Sequence, residues 1–240
     1  MSEPVTRTFL VVDVEKSSDR GNEELALLRR QLYSMLNKAM SAAELMGGKA
    51  AVEDRGDGFL VVADASVLDV LVSLTDTLVD ELTRYNATVV PTDWLRLRIA
   101  VHSGLVHRDF RGWSGEELTR TFRICDAPEA KLTLEAAQRG QAVVIVSDHV
   151  YETVVKHRYR GLPRDSFREI RSGFAWARVP GYSSPPVPQP PAEPGPPPSS
   201  PPGVSGGNLD LSQATVGTLI SGSSIDRVDA RSRFGGKRHE

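Results

Sequence analysis

Two aspartates carry the residue types and settings that divalent-cation chemistry requires. Asp13 closes the apolar run Thr8-Phe9-Leu10-Val11-Val12 and is followed, after Val14, by the polar residues Glu15-Lys16-Ser17-Ser18. Asp57 sits in Arg55-Gly56-Asp57-Gly58, between two short apolar runs. The first setting reads as a strand ending in a polar turn, the second as the tip of a hairpin. If that strand lies beside the hairpin, the two carboxylates converge. Convergent carboxylates with open coordination positions are what Mg²⁺ uses to hold a nucleoside triphosphate. Taken singly, each has a plainer reading: Asp13 as a turn-stabilising carboxylate, Asp57 as the Asp-Gly pair that tight hairpins favour.

The elements that must position these residues are legible in the hydrophobic pattern. Residues 7–14 predict a buried strand. Asn22–Met46 carries Leu25, Leu28, Leu32, Met35 and Ala39 at helical spacing, with Gly47-Gly48 as the stop. Lys49–Glu53 and Phe59–Ala63 form the two arms of the hairpin. Val67–Tyr85 predicts a second helix with Leu68, Leu71, Leu74, Leu78 and Leu82 along one face. Leu95–His102 alternates apolar residues against Arg96, Arg98 and Ala100, the pattern of a half-buried strand. A loop through Trp113 follows, then a helical stretch from Glu116 with a kink or break near Pro128. Ala142–Ser147 predicts another buried strand, Asp148 a cap for a short helix ending near His157, and Phe174–Val179 a last strand. The order βαββαβ, with further αβ units after it, places the chain in the α+β class with a ferredoxin-like core: an antiparallel sheet with helices on one face.

Bulk composition narrows the function classes. The formal net charge of −2 over 240 residues creates no field for nucleic acid or an anionic membrane. The single cysteine, Cys125, excludes an internal disulfide and reads as a small apolar helix residue. The N-terminal residues lack the pattern of a signal peptide, and no apolar run reaches membrane-spanning length, so a soluble, cytoplasmic protein is expected. His102 and His107 do not form a ligand cluster, which favours structural or surface roles. The run Lys156–Arg160 reads as a solvated helix end rather than a nucleic-acid patch. Eleven of the sixteen prolines fall between Pro185 and Pro202. This divides the chain into a folded domain over 1–181, an extended disordered linker over 182–203 and a flexible tail over 204–240. The cluster Thr215–Ile220 in the tail offers a segment able to add to a partner's sheet.

Five segments, in order, carry a family resemblance. Asp13-Val14-Glu15-Lys16-Ser17-Ser18 is similar to the Asp-Ile-x-Gly-Ser/Phe-Thr turn of class III nucleotidyl cyclases. Arg55-Gly56-Asp57-Gly58-Phe59-Leu60 resembles their Gly-Asp-Gly-Phe-Leu hairpin. Leu97–Gly104 resembles Leu-Arg-Ile-Gly-Ile-His-Thr-Gly, Gly115–Arg123 resembles Gly-x-x-Val-Asn-x-Ala-x-Arg, and Val143–Ser147 matches the Ile-x-Val-Ser strand. The chain is similar to soluble members of the actinobacterial type, with a Pro-rich linker and a short tail.

The resemblance implies a homodimer whose active sites form between subunits, with metal ligands from one and transition-state groups from the other. Asp13 and Asp57, with the Val14 carbonyl, would bind two Mg²⁺ or Mn²⁺ ions; one ion would activate the ribose 3′-hydroxyl and the other hold the triphosphate. The backbone of Glu15, Lys16, Ser17 and Ser18 would cradle phosphate. Arg123 would stabilise charge on the α-phosphate. Thr119 stands where the family has the asparagine that orients the ribose. Glu53 takes the base-reading position, with its partner position near Gly112 and Trp113 available to stack on the base. Arg171 is the nearest cation to the family's triphosphate-binding lysine. Two functions follow: a cyclase making a cyclic nucleotide and pyrophosphate, or a weak or inactive cyclase-homology module that binds nucleotide or dimerises and recruits a protein partner through its tail.

Overall fold

The computed structural model describes residues 3–188, so most of the expected linker and all of the tail, including Thr215–Ile220, lie outside the described residues. Strand β1 (Val5–Val14) leads through a tight turn to helix α1 (Asn22–Ala42), then to β2 (Ala50–Asp54), β3 (Gly58–Ala63) and α2 (Thr75–Asn86). Next come β4 (Leu97–Asp109), β5 (Gly112–Ser114), α3 (Glu116–Cys125) and α4 (Pro128–Ala136), followed by β6 (Ala142–Ser147), α5 (Asp148–Thr153), β7 (Arg168–Arg171) and β8 (Ala175–Arg178). The sheet runs β2-β3-β1-β4-β6-β8-β7, with β5 paired to β4. Its first four strands are mutually antiparallel, the expected ferredoxin-like core. β6 joins β4 in parallel and extends the sheet.

Both long helices lie on one face, as their single apolar stripes require. Leu28, Leu32, Leu36, Leu78 and Leu82 meet Leu10, Val12, Phe59, Val61 and Ile99 there. Fully burying each such side chain is worth about 1.5–3 kcal/mol. The opposite face is covered as well: α3 and α4 place Leu118, Ile124, Ala130 and Leu134 over Phe9, Val11, Leu60, Ala100 and Ile145. This corrects the half-buried reading of Leu95–His102. Ala100 is fully buried, and even Arg98 is only 9% exposed. The alternation of Arg with apolar residues reflects two shielded ion pairs, Arg96 with Glu15 and Arg98 with Asp13, rather than a wet face.

Local departures have local causes. α1 stops at Ala42, before the glycines, because Glu44 enters the left-handed region (φ 55°) and the Leu45 N–H closes on the Met40 carbonyl at 2.9 Å. The second helix opens with a π-helical stretch, Asp69–Leu74, where the Thr75 hydroxyl also donates to the Val70 carbonyl at 2.7 Å. The loop expected around Trp113 is strand β5, and β7 was not anticipated. The helical stretch from Glu116 does break near Pro128: α3 ends at Cys125 and Pro128 starts α4, because the first helical position needs no N–H. Ser147, not Asp148, caps α5 by accepting from the Val150 N–H at 3.2 Å, while Asp148 accepts from Trp176 Nε1 at 3.0 Å. Beyond Gly181 the chain stays on the domain: the Tyr182 hydroxyl accepts from the Arg139 N–H at 3.1 Å, and the Pro186 carbonyl from Arg168 at 3.0 Å. Among the described residues, no helix is long and apolar enough to cross a membrane.

Candidate functional site

The strand register brings the two aspartates together. β1 and β3 pair with Asp13 opposite Gly58, so Asp57, one residue earlier, lies beside the end of β1. Glycine is required at 58 for this approach, since a Cβ there would collide with the Val12 carbonyl. Gly56 (φ 87°) turns the hairpin. Asp13 and Asp57 then line one cleft of about 170 Å³, closed on its far side by Phe122, Cys125 and Asp126 of the α3 end. Arg55 lies over the Phe122 ring at 5.0 Å and joins the hairpin to α3. Burial pushes the Cys125 thiol up to about 12, so it serves as an apolar wall.

Each carboxylate keeps one engaged oxygen. Asp57 Oδ2 accepts from the Ser17 hydroxyl at 2.5 Å, which ties the hairpin tip to the turn after β1. Asp13 Oδ2 is ion-paired with Arg98, its cross-strand neighbour on β4. Arg98 lies in the Leu97–Gly104 segment, yet its partner is visible only once the β1–β4 register is known. Its Nε is shielded from solvent and has no acceptor among the described residues. Val14 has its side chain in the core, which leaves its backbone as the group a cation can use. No cluster of three or more His, Cys, Asp or Glu side chains able to hold a metal occurs among the described residues. Any cation here would rest on the two aspartates, with substrate oxygens and water completing its shell, an arrangement usual for Mg²⁺.

The remaining sequence-selected residues lie elsewhere. The Glu15 N–H donates to the Arg96 carbonyl at 2.9 Å and its carboxylate pairs with the Arg96 guanidinium at 2.8 Å, so that N–H is closed to phosphate. Lys16 follows with left-handed backbone (φ 55°), and Ser17 and Ser18 enter a short 3₁₀ turn, four residues before α1 begins. Thr119 and Arg123 are both exposed on α3, one helical turn apart, and neither lines the Asp13–Asp57 cleft. The Thr119 hydroxyl donates to the Gly115 carbonyl at 3.1 Å. Glu53 pairs with Arg55 at 2.8 Å, and a Cβ on Gly112 would come within 3.2 Å of Glu53 Oε1, so these two positions do adjoin. Trp113, half-buried, packs beneath Arg108 at 5.1 Å. Arg171 stacks on Phe174 at 4.6 Å, on the edge strand β7.

His102 is structural in the way its lack of a ligand cluster indicated. Buried under α3, its Nδ1 bonds the Ser147 hydroxyl at 2.7 Å and its Nε2 bonds Glu117 at 2.5 Å. Burial lowers its pKa, while Glu117 opposes the shift.

Neither a protein-family model nor a curated protein matches the chain. Solved structures do. The chain is similar to an adenylate/guanylate cyclase/hydrolase from Silicibacter pomeroyi (TM-score 0.51, 18% identity, covering 74% of this chain and 98% of that one). It is also similar to the monomeric guanylyl cyclase domain of the RhoGC fusion protein from the aquatic fungus Blastocladiella emersonii (TM-score 0.52, 15% identity, covering 75% and 99%). A bacterial light-regulated adenylyl cyclase matches at TM-score 0.50 and 12% identity, over 75% of this chain and 53% of that one. The fold is that of adenylate/guanylate cyclase catalytic domains.

Proposed function

We propose that this chain is a nucleotidyl cyclase: it converts a nucleoside triphosphate to a 3′,5′-cyclic nucleotide and pyrophosphate at sites shared by two copies of itself. The observation that carries this reading is the β1–β3 register, which sets Asp13 and Asp57 at one cleft in a cyclase fold. Their donor set fits Mg²⁺ or Mn²⁺, two ions per site, with the Val14 carbonyl as a further ligand. Such ions, when bound, neutralise the triphosphate and make the ribose 3′-hydroxyl easier to deprotonate.

The chain's own residues supply the rest. Ser17 orients Asp57, and Arg98 holds Asp13 in place and adds a positive charge beside the cleft. Backbone N–H groups of Lys16, Ser17 and Ser18 complete the phosphate cradle. Thr119 and Arg123 lie outside their own chain's cleft, which supports their use on a partner copy's substrate. There Arg123 meets the charge that grows on the α-phosphate while Thr119 orients the ribose. Glu53, with Trp113 nearby, faces the base. The 3′-oxygen forms its bond to the α-phosphorus as the bond to the bridging oxygen breaks. Pyrophosphate leaves with that electron pair, and the hydroxyl proton passes to solvent. Such chemistry belongs in the nucleotide-rich cytoplasm.

A second reading, a nucleotide-binding or dimerising module with little or no turnover, is favoured by one observation. The Thr119 hydroxyl is already bonded to Gly115, and threonine is shorter than the asparagine of the resembled motif. Losing one such oriented contact costs about 2–4 kcal/mol. Tail-mediated recruitment of a protein partner belongs to this reading. Full-length protein is incubated with ATP, GTP, CTP and UTP at high Mn²⁺, and products are identified by mass spectrometry. A cyclic nucleotide supports the enzyme reading, and its absence from every reaction overturns it. Thr119→Asn separates the two further: a gain of about a hundredfold marks an enzyme running below capacity.

A further inference from the structure

The turn that carries Ser17 has a second side. Away from the Asp13–Asp57 cleft it borders a larger cavity of about 590 Å³, between the start of α1, the end of α2 and residues 91–96. That volume falls within the range of small-molecule sites. Two observations converge on it. Lys16 holds left-handed backbone (φ 55°), a conformation that favours glycine and stands at the glycine of the turn motif quoted above, yet lysine occupies it and lines the cavity. Strain retained at a side chain that faces a cavity points to use of that side chain. Lys16 has no ion-pair partner among the described residues, and Arg20, also lining the cavity, makes only a long 3.5 Å contact with the Trp94 carbonyl.

The rest of the lining decides the ligand's character. Leu27, 57% exposed, and Val89 add apolar surface to the lining. Glu15 is neutralised by Arg96 at 2.8 Å. Glu24 and Asp93 are exposed at the same cavity and repel a polyanion such as a nucleoside triphosphate. We propose that this cavity binds a small organic monoanion, one carboxylate or sulfonate on a flat apolar body, with Lys16 and Arg20 on the anionic group and Leu27 and Val89 on the body. Occupancy would press on the same turn that presents Ser17 to Asp57, so the site is placed to influence the cleft. The binding claim does not depend on the cyclase reading.

The test uses full-length protein and two probes with the same rings: anilinonaphthalene sulfonate, which is anionic, and phenylnaphthylamine, which lacks the sulfonate. Lys16→Gly is the informative variant, because it removes the cation and relieves the backbone, so folding is preserved. The expected result is saturable, one-site sulfonate binding that weakens tenfold or more in Lys16→Gly and in Arg20→Gln. Phenylnaphthylamine binding should change less than twofold in both and fall in Leu27→Asp. Sulfonate binding that is unsaturable, or that matches wild type in both charge variants, overturns the proposal. So does an equal loss of both probes in those variants.

Discussion

Asp54 and Asp57 are three residues apart on one hairpin, and their surroundings are opposite. Asp54 accepts hydrogen bonds from Arg29 Nη1 and Nη2, from the Tyr33 hydroxyl at 2.9 Å and from the Gly56 N–H at 2.8 Å. The Arg29 hydrogen bonds, then the Gly56 N–H, hold its carboxyl well below the usual carboxylate range. Asp57 accepts from the Ser17 hydroxyl and turns to the cleft. An ionised carboxylate has about four lone-pair sites. With all of them engaged, Asp54 is a clamp joining α1 to the hairpin; with most of them open, Asp57 has the capacity to hold a cation. Spare acceptor capacity, more than the residue type, separates the two roles.

The sharpest way to break this comparison is to neutralise each carboxylate in turn. Under the proposed cyclase reading, Asp57→Asn is expected to reduce turnover by about 10³-fold or more, since the lost carboxylate would no longer help hold the cations that act on the bound phosphates. Asp54→Asn should keep measurable turnover. Equal losses in steady-state assays with Mn²⁺ would show that the hairpin, not the ligand set, was being measured.

Arg98→Met probes the other aspartate. It leaves Asp13 without its cation in a largely buried setting, where breaking such a pair costs about 3 kcal/mol. Urea denaturation would read this directly, and a midpoint near wild type would show Asp13 to be well solvated. Under the proposed reading, added Mn²⁺ with nucleotide should restore part of the loss, because a cation held at Asp13 would replace the missing charge.

The clamp is expected to matter less. Arg29 and Asp54 are more than a third exposed, so screening limits Asp54→Asn to about 1 kcal/mol or less. Its sign with pH is fixed. The folded pKa is depressed, so the contribution is present above the unfolded value of 3.8 and is lost as pH falls below it. Acid denaturation of Asp54→Asn should therefore lack that component, while wild type shows it. The smallest effect is reserved for Lys16→Gly. Relief of left-handed strain, about 1 kcal/mol, is offset by the unfolded-state freedom of glycine, so stability should change by less than about 1 kcal/mol. A large destabilisation would mean that the Lys16 side chain braces the turn rather than serving a ligand.

Much of the framework was readable from residue order alone. β1, the Gly-Asp-Gly hairpin, the two leucine-striped helices and the βαββαβ order follow from periodicity and turn chemistry, which act within about a dozen residues. The pairing of Asp13 with Asp57 was available as a conditional: it needed only that β1 lie beside the hairpin. The boundaries shifted where a cap or a left-handed residue decided them, as at Ala42 and Ser147. β5 and β7 were missed because three- and four-residue strands carry too little pattern to be seen.

What the linear chain could not express was which distant groups become neighbours. Arg98 finds Asp13 across 85 residues, Arg29 finds Asp54 across 25, and α3 and α4 bury a strand face whose arginine had marked it as wet. These outcomes hang on strand register and on which helix crosses which face, and both are settled by the collective burial of the core. The amino-acid order thus determined the elements and the chemical types available at their ends, because propensity and periodicity are local. Tertiary structure alone decided which carboxylate would be saturated and which left open, because hydrogen-bond capacity is filled by whatever the fold brings within reach.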